Sequence, residues 1–321
     1  MQYVNLGRAG IRVSRICLGS ASFGNDEPWK VELEQARRIV KKALDLGINF
    51  FDTANVYASG QAEKILGNCL KDQRNDVVIA TKVFGPMGSG PNDAGLSRRH
   101  ILHEVRHSLK RLHTDYIDLY QIHRWDYATP IEETMRALND VIRLGQAYYV
   151  GASSMLAWQF LKSLHTSEIL GLEKFVSMQN HYNLVYREEE REMIPLCKQE
   201  VIALIPWSPL ARGFLTGKYK RGKKPDSPRY QSDVPLRERY FKPEDFDILE
   251  TVEQLAKEKG VTPSQIALAW LLHKGVTAPI IGATRIEHVE EAVESTNVNL
   301  NSGEMERLEV GYKPHVAMGL D

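Results

Sequence analysis

The sequence predicts an α/β fold: a closed (β/α)8 TIM barrel with an N-terminal β-hairpin and no Rossmann domain. Three observations predict it. The chain has 321 residues, long for one ordinary domain but normal for a barrel. Eight short apolar runs alternate with longer segments of helical period. The runs are apolar on both faces, as strands of a parallel sheet covered by helices must be. An open doubly wound sheet would instead advertise GxGxxG after its first strand. That position reads Gly19-Ser20-Ala21-Ser22-Phe23-Gly24, which does not fit.

The elements follow in order. YVNLGRAGIRV reads as a hairpin within residues 1–13, turning at Arg8-Ala9-Gly10 and closing one end of the barrel. The strand runs are RICLG (15–19), INFFD (48–52), VVIATK (77–82) and IDLYQIH (117–123). They continue with AYYVGAS (147–153), FVSMQN (175–180), ALIPWS (203–208) and APIIGA (278–283). Helices are expected over 31–46, 61–70, 97–112, 131–144, 155–165, 188–199, 246–259, 263–274 and 286–295. In the 97–112 segment Ile101, Leu102, Val105, Leu109 and Leu112 share one side, and Ser97 precedes it as a cap. Thr262-Pro263 opens another helix with proline at its first position. Two Gly/Pro-rich or basic segments, 84–96 and 217–245, break the rhythm. Both follow strands, where a barrel builds its active face. The whole chain, 1–321, reads as one domain.

Hydrophobic residues make up 43%, enough for a large core. Lys plus Arg equals Asp plus Glu at 41 each, which argues against a nucleic-acid or membrane-surface partner. Cys17, Cys69 and Cys197 are scattered and lack CxxC spacing, pointing to a reducing compartment and packing roles. The start has no long apolar h-region and no run reaches about 18 apolar residues. A cytoplasmic protein is expected, with its oligomeric state open.

What ends each run is polar. The second run ends in Asp52, the third in Thr81-Lys82, the fourth in His123. Later runs end in Ser153-Ser154, Gln179-Asn180 and Trp207-Ser208. Strand C-termini of a barrel converge on one mouth. Singly, each has an ordinary reading: an aspartate cap, a structural histidine, a solvated lysine. Together with Tyr57 they make coherent chemistry. A carboxylate holds an ammonium by a charge-assisted bond. An ammonium beside a phenol favours phenolate, and such a phenol serves as general acid or base. A histidine alongside can donate to a substrate carbonyl and orient it.

The segment Gly47-Ile48-Asn49-Phe50-Phe51-Asp52-Thr53-Ala54-Asn55-Val56-Tyr57, followed by Glu63 and Gly67, closely resembles the first signature of the aldo-keto reductases. The later strands match in order and spacing, so the resemblance covers nearly the whole chain. It implies a catalytic tetrad of Asp52, Tyr57, Lys82 and His123 with Tyr57 as proton donor. It implies NADPH bound without a Rossmann fold, with Ser153, Ser154 and Gln179 on the carboxamide and Trp207 stacked on the nicotinamide. Gly19, Ser20 and Asp52 match further cofactor contacts. The stretch Trp207-Ser208-Pro209-Leu210-Ala211-Arg212-Gly213, reaching Lys218, looks like the pyrophosphate loop of the branch near aryl-alcohol dehydrogenases and potassium-channel β subunits. Arg229 also fits that branch.

The adenosine end falls on Gly282, Thr284, His288 and Glu291, where a strand passes into a helix N-terminus that favours an anion. Many relatives have a Lys and an Arg at the positions held here by Gly282 and His288. Arg285 is the available substitute, so NADP is favoured with NAD left open. The expected reaction is reduction of a small-molecule aldehyde or ketone to the alcohol. The alternative is an NADPH-binding regulatory subunit with little turnover. Phe23, Trp29 and Trp125 are the candidate substrate contacts, with Arg124 and the 84–96 loop nearby.

His103-Glu104-Val105-Arg106-His107 satisfies HExxH, the zinc-protease pattern. On a helix at about 100° per residue, His100, His103 and His107 fall opposite the apolar side and face solvent. A catalytic zinc needs a shaped, partly dry cleft. An outer barrel helix offers none, and no metal site is expected.

Overall fold

Each of the eight apolar runs contains a parallel strand in a computed structural model that describes residues 1–223 and 225–317. Lys224, inside the 217–245 segment, and residues 318–321, at the end of the expected single unit, lie outside the described residues. A hairpin of β1 (Tyr3–Asn5) and β2 (Arg12–Ser14) comes first. The barrel strands are β3 (Cys17–Gly19), β4 (Phe50–Asp52), β5 (Val78–Val83), β6 (Ile117–Ile122), β7 (Ala147–Ser153), β8 (Ser177–Gln179), β9 (Ala203–Leu204) and β10 (Ile280–Gly282). Each pairs with the next in sequence, and β10 returns beside β3. Thr277 N–H donates to the Leu204 carbonyl (2.8 Å) and Ile280 N–H to that of Pro206 (2.9 Å), which closes the ring. The run ALIPWS yields only a two-residue strand, because Pro206 has no N–H to give a ladder.

Helices separate the strands: α1 (Leu33–Asp45), α2 (Gln61–Leu70), α3 (Arg98–Leu112), α4 (Ile131–Arg143), α5 (Ala157–Leu170) and α6 (Met193–Gln199). After β9 come α7 (Pro228–Ser232), α8 (Val234–Arg239), α9 (Pro243–Lys259) and α10 (Pro263–His273); α11 (Ile286–Glu294) and α12 (Ser302–Glu309) end the chain. The 217–245 segment is therefore partly helical. Ser227 caps α7 and Asp233 caps α8, each with a proline in the first turn. Helix α12 was not expected. Its capping box, Asn301 with Glu304, is masked in the sequence by Gly303.

Strand parity decides what fills the barrel. Cys17, Phe50, Val78, Ala80 and Leu119 share one enclosed cluster with Leu6, Ala9 and Val13 of the hairpin. Their alternates Phe51, Ile79, Tyr120 and Ile122 pack in the helix-facing cluster. With side chains alternating at period two, Asp52 follows Phe50 inward, Lys82 follows Ala80, and Gln121 follows Leu119. The interior thus runs from a hairpin plug, through an apolar layer, to a polar layer at the strand C-termini. Gly7 seats the plug. It has φ +60° and a Cβ there would meet Ala203 N, Val176 O and Val201 O, each at 2.7 Å.

Gly7→Ala should cost about 2–4 kcal/mol from backbone strain and overpacking, seen as a lower urea midpoint. An unchanged midpoint would show that the hairpin does not plug the barrel.

Candidate active site

An ammonium has three N–H donors, and Lys82 spends them on three acceptors. Lys82 Nζ donates to Asp52 Oδ1 (2.6 Å), to the Thr53 carbonyl (2.6 Å) and to the Tyr57 hydroxyl (3.2 Å). The side chain has no exposed surface. Burial alone would drive its pKa down, but Asp52 and Tyr57 overcome that and hold it above the ordinary lysine value. Asp52 is itself fixed, since its Oδ2 accepts from Gln121 Nε2 (3.1 Å) and Gln179 Nε2 (2.8 Å). His123 packs edge-on to Tyr57 with centroids 5.8 Å apart. Burial, then Lys82 and Arg124, push its pKa well below the usual histidine range, so it is a neutral hydrogen-bond donor at pH 7.

The chain pays for this placement in backbone strain. Ala58 (φ 47°) and Ser59 (φ 50°) follow Tyr57 in the left-handed region, which bears a cost for non-glycine residues. Ser154, Ser208, Ala211 and Arg212 share that conformation just past the ends of β7 and β9. A buried polar network braces the turn from behind. Thr81 Oγ1 donates to Glu63 (2.6 Å), Arg111 Nε to Glu63 (2.5 Å) and Arg111 Nη2 to Glu104 (3.3 Å), while Asn55 Nδ2 donates to Glu104 (3.1 Å). Asn55 lies between Asp52 and Tyr57, and Thr81 precedes Lys82. The Glu63 to Glu104 network was not anticipated, although Glu63 stood in the signature.

Above the polar layer opens a cleft of about 1100 Å³ bordered by Asp52, Tyr57 and His123. Gly19, Ser153, Gln179, Trp207, Ser208 and Leu210 also border it. So do Arg212, Gly213, Lys218 and Arg229 along one side, and Gly282, Thr284, His288 and Glu291 at the far end. Ser154 stands just behind, accepting from Trp207 Nε1 (3.0 Å). His181 covers one face of the Trp207 indole, with centroids 4.1 Å apart and planes 9° from parallel. Lys218 is crowded by like charge, its pKa lowered by burial and then by Arg229 and Arg285. Arg212 and Arg229 share the single carboxylate of Asp233. Arg229 also lies over the Trp29 ring at 4.3 Å, so the 217–245 segment reaches across the cleft to the loop after β3. Arg239 borders the cleft too and was missed, being one more arginine in a basic segment.

Several expected contacts do not border this cleft. Phe23 is fully buried in the core and Ser20 is fully enclosed, so neither borders the cleft. Trp125 turns toward Trp158, with centroids 6.0 Å apart, and is not a wall either. The 84–96 segment folds onto itself through Gly95 N–H to the Phe84 carbonyl (2.7 Å) and does not border the cleft. Of the aromatic substrate candidates Trp29 alone remains. At the far end His288 is no cation: burial, then Arg285 and Lys218, lower its pKa, and its Nε2 faces Arg285 Nε at 3.4 Å. Arg285 carries the charge there. On α3, His100 is buried rather than solvent-facing, while His103 and His107 are partly exposed.

The model described as the aldo/keto reductase family matches residues 15–311. An aldo-keto reductase of Metarhizium robertsii, dtxS3, is 42% identical, covering 99% of this chain and 93% of that protein. A versiconal hemiacetal acetate reductase of Aspergillus parasiticus is 41% identical over 98% of both. A Schizosaccharomyces pombe protein bearing the name aryl-alcohol dehydrogenase is 40% identical over 97% of this chain and 96% of its own.

Asp52→Asn leaves the buried ammonium without its counter-charge and should cost about 3–5 kcal/mol of stability, measured by urea unfolding near pH 7. A loss below about 0.5 kcal/mol, the range of ordinary surface changes, would mean that the pair is not what holds Lys82.

Proposed function

This chain belongs to the aldo/keto reductase family, and we propose that it is an NADPH-dependent reductase of aldehydes and ketones with Tyr57 as general acid. The family acts on small carbonyl substrates and uses NAD(P)H. The observation that carries the finer reading is the Lys82 ammonium ending on the Tyr57 hydroxyl at the floor of the cleft.

The residues present fit a dinucleotide phosphate. Lys218, Arg229 and Arg285 are mutually repelling cations in one cleft, and the acids bordering it are Asp52, already bound to Lys82, and Glu291. Such a field asks for an anion. Arg212, Lys218 and Arg229 suit the pyrophosphate. Arg285, at the N-terminus of α11, suits the 2′-phosphate that distinguishes NADP from NAD. Trp207, with His181 on one face and the Arg239 guanidinium 5.4 Å from its ring centroid, is the aromatic of the cleft suited to a flat ring, with Ser153 and Gln179 also on the wall. Gln179 Nε2 is spent on Asp52, so its carbonyl oxygen is the group left for a carboxamide. When bound, the reduced nicotinamide supplies the hydride.

The protein's own residues handle the proton. Tyr57 gives its hydroxyl proton to the carbonyl oxygen. Lys82 then donates to the phenolate that remains, and Asp52 keeps Lys82 charged and in place. Neutral His123 donates to the same oxygen and orients it. In alcohol oxidation Tyr57 takes the proton back. With Trp29 on the wall and an aryl-alcohol name among the relatives, an apolar or aryl carbonyl is the substrate class proposed.

Tyr57→Phe should lower kcat for aldehyde reduction by about 10²–10⁴-fold, the usual worth of a general acid. The dissociation constant for NADPH, read by nucleotide fluorescence, should stay within about threefold because the phenol ring is kept. Wild-type protein that binds NADPH yet turns over no member of a broad carbonyl panel would instead identify a binding module.

A further inference from the structure

The HExxH stretch has no part in the cleft, yet α3 gathers its groups. At about 100° per residue, His107 lies about 40° and Glu104 about 100° around the helix from His103. The three side chains fit within that arc. Their ligand atoms all lie within 4.8 Å of one another. Glu104 Oε1 is 3.3 Å from His107 Nδ1 and 3.5 Å from His103 Nδ1, and the two imidazole centroids are 4.2 Å apart.

Glu104 is divided in its commitments. Its Oε2 faces inward, accepting from Asn55 and Arg111. Its Oε1 faces the two rings. The carboxylate is therefore pinned by the buried network and offers one oxygen outward. The histidines differ: their side chains are 60% and 39% exposed, so both can turn without disturbing the core.

We propose that α3 carries a binding site for a divalent first-row cation of the zinc type, held by His103, Glu104 and His107 and separate from the catalytic cleft. Tetrahedral zinc with bonds of about 2.0–2.1 Å sets its donors about 3.3–3.4 Å apart. Both carboxylate–imidazole separations already match that spacing. Only the imidazole–imidazole distance must contract, by a rotation of exposed rings. Two imidazoles with one carboxylate suit zinc, nickel and copper and do not suit calcium or magnesium, which prefer all-oxygen shells. Water fills the remaining position, since the site lies on the outer helix layer. It is a binding site and not a second hydrolytic centre, because both imidazoles are open to solvent and the inward oxygen of Glu104 is already bonded.

The experiment is calorimetric titration of the full chain, free of any histidine tag and stripped with EDTA, with zinc chloride. One zinc per chain is expected, with a rise in melting temperature because the ion binds the folded chain alone. His103→Ala and His107→Ala should each weaken binding about tenfold or more, and the double variant should lose both the heat and the melting shift. With metal absent, His103→Ala should melt and reduce substrate like wild type, its side chain being 60% exposed and outside the reaction, while His107→Ala, which removes a partner of Glu104, should lower the melting temperature slightly and still unfold cooperatively. Zinc binding that is equally tight in the double variant, or absent from wild type, overturns the proposal.

Discussion

Everything at the mouth of this barrel depends on one buried ammonium. Lys82 has no contact with solvent, and a bare charge there would be untenable. It survives because three donors meet three acceptors, one of them ionised. That condition fixes the rest. Asp52 must be held with one oxygen toward Lys82, which Gln121 and Gln179 accomplish from β6 and β8. Tyr57 must return within reach only five residues after Asp52, and the chain leaves it through Ala58 and Ser59 in the left-handed region. The turn must be braced from outside, and the Glu63, Arg111 and Glu104 network does so.

Rigidity and opening are divided between the two sides of the barrel mouth. Asp52, Lys82, Gln121 and Gln179 lie on β4, β5, β6 and β8 of the closed sheet, and Tyr57 and His123 stand beyond the ends of β4 and β6. The cationic wall comes from the segment after β9 and from the start of α11, elements outside the sheet. That wall carries unbalanced charge, since Asp233 serves both Arg212 and Arg229. A scaffold that is electrostatically complete at its floor and incomplete at its wall is suited to hold an acid permanently and a phosphate-rich ligand transiently.

Much of this was legible in the sequence, for a physical reason. Strands buried on both faces read as continuous apolar runs, and the polar residues that end them mark the mouth; Asp52, Lys82, His123 and Gln179 were found this way. Contacts that depend on side-chain direction were not legible. Phe23 and Trp125 sit near the right strand ends in sequence, yet one faces the core and the other a neighbouring tryptophan. His100 has the helical phase of an exposed residue and is buried because surrounding segments cover it. The bracing network joins residues 48 and 49 positions apart in sequence, Glu63 to Arg111 and Asn55 to Glu104, and no local pattern announces such pairs.

On the proposed mechanism Asp52 acts through Lys82 and not on the substrate. A double-mutant cycle in kcat/KM for aldehyde reduction tests it most directly, using Lys82→Met, Asp52→Asn and the pair. Each single change should lower the rate, Lys82→Met by about 10²–10⁴-fold. The double variant should match Lys82→Met alone to within about 0.5 kcal/mol, since residues acting as a unit are not additive. If the two losses multiplied, Asp52 and Lys82 would act independently and Asp52 would not work through Lys82.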